Sequence, residues 1–119
     1  LSEIRATTIS DAAGTGPITL TKQSAAKAWV RYNQIGNSIN TSFNVSSMTD
    51  TATGDSDVNF TSSLSAADHP APTNQSFSSG EMGVYSHNNA ANKTRVLTRS
   101  NSSTNVDRHY NMSQLGDLA

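Results

Sequence analysis

Polar and apolar residues alternate along much of this chain with the two-residue period of β-strands. Ala28, Val30 and Tyr32 fall on one face of a strand over Ala26 to Tyr32, with Lys27, Trp29 and Arg31 on the other. A two-turn helix is the competing reading of this segment, because Ala and Lys are good helix formers. The adjacent Trp, Val and Tyr favour the strand. After a turn at Gly36-Asn37, Ile39, Thr41, Phe43, Val45 and Ser47 alternate with Asn40, Ser42, Asn44 and Ser46. Thr49 to Asp55 reads as a connecting turn with Gly54 placed for a positive φ, and Val58 and Phe60 open the returning strand, Asp57 to Ser63. The expectation is a β-hairpin whose loop is longer than two residues.

Toward the C-terminus, Lys93 to Ser100 sets Thr94, Val96 and Thr98 against Arg95, Leu97 and Arg99. A turn at Asn101-Ser102-Ser103 leads to a last strand over Thr104 to Met112. Between the two regular parts, 64–93 reads as irregular apart from a strand at Glu81 to Ser86. Residues 1–24 read as an extended N-terminal arm. It holds two short β-prone runs, marked by Ile4 and Ile9 and by Ile18 and Leu20, broken by Gly14, Gly16 and Pro17. Runs this short need the domain behind them or another chain to pack on, so these four residues are the candidate assembly contacts. Roughly seven short strands joined by polar turns predict an all-β fold, a small β-sandwich or jelly-roll-like domain over 25–119 carrying the arm.

Composition changes this picture in one respect. Hydrophobic residues make up only 34% of the 119, whereas Ser, Thr and Asn number 45. The core must be thin, or completed by neighbouring copies. Its large side chains would be Trp29, Val30, Phe43, Val45, Val58 and Phe60, since burial is the usual fate of such residues at strand spacing. A net charge of −1 argues against disorder and, with the eight Lys and Arg scattered, against nucleic acid as a partner. No apolar run approaches the ~18–20 residues that span a bilayer, so no membrane insertion is expected. Nor does a basic stretch precede an apolar one as in a signal peptide.

The candidate chemistry is sparse. The absence of cysteine removes thiol nucleophiles and Cys-based metal sites. Neither a nucleophile-elbow motif nor a carboxylate pair in an apolar setting appears, so neither enzymatic activity nor a cofactor is expected. His69, His87 and His109 lack metal-ligand spacing. Asp50, Asp55 and Asp57 around Gly54 carry part of a calcium-loop pattern, which the hairpin turn explains equally well. Tyr85, His109 and Tyr110 stand beside Asn-rich loops and are the candidates for stacking on a surface glycan.

The segment AAKAWVRYN, followed by SFNVSSMTDTATGDSDVNFTSSL, resembles a module of tail-fibre and virion-surface decoration proteins of bacteriophages, especially those of marine bacteria. Ser2 to Thr7 and Gly14 to Ile18 are similar to its N-terminal arm, so the likeness covers about residues 2–64. Members of that family continue with an aromatic-rich strand where Ala66-Ala67-Asp68-His69-Pro70 stands here. The resemblance implies a non-enzymatic virion structural protein, a capsid decoration, head-fibre or tail-fibre component. Such a protein would assemble in the bacterial host cytoplasm and be exposed on the particle. It would act as a homo-oligomer, a trimer by preference, in contact with capsid or tail proteins. The alternative role is recognition of a host surface glycan.

Overall fold

The computed structural model describes residues 26–77 and 82–119, which contain eight strands and no helix. They are β1 (Ala28–Asn33), β2 (Ser38–Phe43), β3 (Val45–Ala52), β4 (Asp55–Phe60), β5 (Thr73–Phe77), β6 (Met82–Ala90), β7 (Lys93–Ser100) and β8 (His109–Gln114). Two four-stranded sheets form, β2-β1-β8-β5 (sheet A) and β3-β4-β7-β6 (sheet B), with every neighbouring pair antiparallel. The chain is therefore all-β, a small β-sandwich. The expected arm, with Ile4, Ile9, Ile18 and Leu20, lies outside the described residues.

The inner faces follow the sequence alternation. In β1, Ala28, Val30 and Tyr32 are buried; in β8, Tyr110 and Met112 join them. Sheet B contributes Val58, Phe60 and Val96, and Leu64 enters from the loop after β4. The Tyr32 and Tyr110 rings meet edge to face, with centroids 5.7 Å apart, an arrangement that adds to the area they bury. Val45 and Met48 pack against this cluster only in part.

Several expectations are corrected. Trp29 and Phe43 are not core residues: they are 37% and 54% exposed. Trp29 shares its outward register with Arg31, because Val30 and Tyr32 take the inner face. Phe43 is its direct cross-strand partner and so lies on the same face. Val45 is half-buried. The single strand expected through Ile39 and Ser47 is two strands in different sheets. The break is Asn44, at φ 54, a left-handed conformation that Asn tolerates better than most residues. Its side chain holds the switch, donating to the carbonyls of Lys27 and Ser62 and accepting from Ser62 N at 2.7 Å. The hairpin of β3 and β4 is tighter than expected: Ala52 pairs with Asp55, which leaves only Thr53-Gly54 between them, with Gly54 at φ 66. Strand β5 falls in a stretch expected to be irregular.

Polar residues complete the thin core. Thr94, Ser56 and Thr98 are fully buried in sheet B; the first two reach across to sheet A and Thr98 reaches the turn after β1. Thr94 Oγ1 donates to Gln114 Oε1 at 2.6 Å, the Ser56 and Tyr110 hydroxyls lie 2.7 Å apart, and Thr98 Oγ1 donates to Gln34 Oε1 at 2.7 Å. Gln114 Nε2 also donates to the carbonyls of His69, Pro70 and Leu115, tying down the loop that leads to β5. Buried polar groups stabilise only when bonded in this way. The low hydrophobic content is accommodated by these buried hydrogen bonds.

Candidate functional site

Among the described residues, Trp29 and Phe43 on sheet A and Tyr85 on sheet B are exposed aromatics. Trp29 and Phe43 face outward as neighbours on β1 and β2. One step along the sheet, Thr41, Arg31, Asn111 and Asn74 occupy consecutive positions across all four strands, β2, β1, β8 and β5. Thr41, Arg31 and Asn74 are exposed and Asn111 is half-buried. Rows on one face of a sheet are roughly 6.6–6.8 Å apart and strands roughly 4.8 Å apart. The outer face of sheet A thus sets an aromatic row beside a row of amides, a hydroxyl and a guanidinium. None of its four strands contains Asp or Glu.

Among the described residues, strand β2 is the edge of sheet A, and five of its six residues are exposed. It carries no charge and no proline, and it displays Ile39 (39% exposed) as well as Phe43. The adjoining turn adds Ile35, 63% exposed. Strand β3, which follows β2 directly, is the edge of sheet B.

The outer face of sheet B is chemically different, because Lys93 and Arg95 are each paired with an aspartate. Lys93 Nζ lies 2.7 Å from Asp57 Oδ2. Arg95 grips Asp55 through Nε at 2.7 Å and through a second, terminal nitrogen. The hydrogen bond to Asp55 is the main cause that raises the Arg95 pKa above its ordinary value. Asn59 donates to Ser47 and Thr49 on β3, and Arg99 sits over the Tyr85 ring at 5.9 Å. Asp50 turns away to accept from Asn37 Nδ2 at 3.0 Å. The three aspartates of the calcium-like pattern are therefore separately engaged. Among the described residues, no group of three or more His, Asp or Glu converges.

The expected glycan-stacking residues do not form one site. Tyr110 is fully buried and bonded to Ser56, with its phenol pKa pushed well up, chiefly by burial. It presents no face to a ligand. Its place in the core was readable from Met112 and Gln114, which follow it at strand spacing. Tyr85 lies within β6 on the outer face of sheet B, opposite Leu97. His109 belongs to β8 in sheet A, opposite Asn33. The Trp29–Phe43 pair was missed as a surface feature, although Trp29 shares its strand face with Lys27 and Arg31 in the sequence. Comparisons with protein-family models, with curated proteins and with solved structures find no match.

Proposed function

We propose that this chain is a non-enzymatic structural subunit of a bacteriophage particle, a capsid decoration, head-fibre or tail-fibre component. It works by associating with copies of itself, as a trimer, and with neighbouring capsid or tail proteins. The resemblance over about residues 2–64 supplies the particle context. The observation that carries the associative role is the β2 edge. An edge strand offers a row of unpaired N–H and C=O groups, and proteins that remain monomeric blunt such edges with lysine, proline, bulges or a covering element. Strand β2, SINTSF, has neither lysine nor proline. Its one irregularity is the register shift opposite Arg31 and Tyr32. Exposed Ile39, with Ile35 in the adjoining turn, adds apolar area to the backbone groups, so pairing with another strand removes both from water.

Sedimentation equilibrium over a range of concentrations tests this reading. The expected result is a concentration-dependent trimer, shifted toward monomer by Ile39→Lys together with Asn40→Lys. These changes alter exposed positions and should leave the β-type circular dichroism unchanged. A chain that is monomeric at every concentration, or whose association ignores the two lysines, would overturn it.

A further inference from the structure

We infer that the outer face of sheet A is a binding platform for an acidic polysaccharide, a glycan chain whose sugars carry carboxylates. Three features of that face point to this class of ligand. The first is the aromatic row. Trp29 and Phe43 are cross-strand partners that the fold leaves 37% and 54% exposed. Aromatic side chains combine a large apolar surface with a polarised ring, which suits the C–H face of a sugar. The second is the neighbouring row, Thr41, Arg31, Asn111 and Asn74, which crosses all four strands. An amide donates and accepts at once, as a hydroxyl does. A row of them matches a ligand edged with hydroxyls. The third is charge. β1, β2, β5 and β8 hold no carboxylate, and Arg31 stands exposed in the polar row, with Lys27 one residue before β1. A planar guanidinium pairs with a carboxylate through two parallel hydrogen bonds.

The same features weigh against other occupants. A second copy laid face to face would bring no carboxylate from these strands to pair with Arg31. A single-stranded nucleic acid needs a groove of cations tracking its backbone, and the four strands of sheet A supply only Arg31 besides the histidine His109. Sheet B differs: Asp55 and Asp57 already occupy Arg95 and Lys93, and Arg99 lies over the ring of Tyr85.

Trp29 is the chain's single tryptophan, so its emission reports on the platform directly. The protein is titrated with polygalacturonate, alginate and hyaluronan, with methyl-esterified polygalacturonate as the uncharged counterpart and oligothymidylate as the nucleic-acid probe. Binding to at least one polyuronate is expected, with a change in Trp29 emission and weakening by salt. Arg31→Gln and Phe43→Ser should each weaken it by about tenfold, the worth of one charge-assisted contact or one stacking contact. Both side chains are exposed, so thermal midpoints should hold. Where polygalacturonate is bound, methyl esterification should have the same effect as Arg31→Gln. Failure to bind all three polyuronates would overturn the inference, as would binding indifferent to both substitutions. Oligothymidylate binding of equal strength would reassign the face to nucleic acid. The changes at Ile39 and Asn40 that test association lie outside the two rows, so the two outcomes are independent.

Discussion

The hydroxyl of Tyr110 in sheet A lies 2.7 Å from that of Ser56 in sheet B, and both residues are fully buried. Removing either partner strands the other in a dry interior, which costs about 1–3 kcal/mol. Tyr110→Phe and Ser56→Ala should each lower stability by that amount in urea denaturation. The double variant should lose less than the sum of the two, because the second change removes a group already left unpaired. Strict additivity would mean that the bond contributes nothing across the sandwich.

Tyr110 also makes the fold sensitive to alkali. Its pKa is raised from the ordinary 10.0, chiefly by burial. The pKa of Tyr32 is raised as well, by burial and then by Asp50 and Asp107. A raised folded-state pKa means that the unfolded chain releases its proton first. Stability is then fully present below about pH 10 and falls as pH rises beyond it. Urea midpoints measured from pH 8 to pH 11 should show that decline, and Tyr110→Phe should flatten it while leaving the Tyr32 contribution. A decline of unchanged slope in the variant would place its origin elsewhere.

These buried tyrosines show how far the sequence could be read. Strand β7 was legible because Thr94, Val96 and Thr98 alternate against charged residues, and the inner face of β1 for the same reason. Trp29 and Phe43 were misjudged because size and hydrophobicity point inward, whereas the register with Val30 points them out. Strands β2 and β3 merged into one because their alternation runs unbroken through Asn44, and no periodicity reveals that one residue has turned the chain into the other sheet. The buried glutamine and threonine bonds were invisible for a simpler reason. Gln34, Gln114, Thr94 and Thr98 look like surface residues until their partners, up to 64 positions away, are known.

Asn44 can be tested on its own terms. Substitution by Gly keeps the left-handed backbone accessible but loses the bonds to Lys27 and Ser62. Substitution by Ala loses the bonds and adds the steric cost of a positive φ, about 1–2 kcal/mol. Both variants should be less stable than the parent, and Asn44→Ala should be the worse by roughly that increment. Equal stabilities would show that the backbone relaxes there and that the side-chain bonds alone hold the change of sheet.

Gly54 provides the sharpest steric prediction. At φ +66, a Cβ there would lie 2.5 Å from the carbonyl oxygen of Thr98 and 2.5 Å from the nitrogen of Val106. Both are backbone atoms that cannot rotate aside, and both are engaged: Val106 N donates to Thr98 O at 3.1 Å, while Gly54 O accepts from Thr98 N at 2.8 Å. Gly54 N is held in turn by Asp107 Oδ1 at 2.6 Å. The tight turn is thus wedged between β7 and the segment leading to β8. Gly54→Ala must push the two apart, and a loss of about 1–3 kcal/mol or more is expected. Gly36→Ala is the control, since a Cβ there meets only the movable side chain of Asn33, at 3.0 Å, and should cost less than about 1 kcal/mol. Thermal midpoints of the two variants decide the matter. If they match, the contact between the β3–β4 turn and the 104–108 segment yields without cost, and that end of the sandwich is looser than its hydrogen bonds imply.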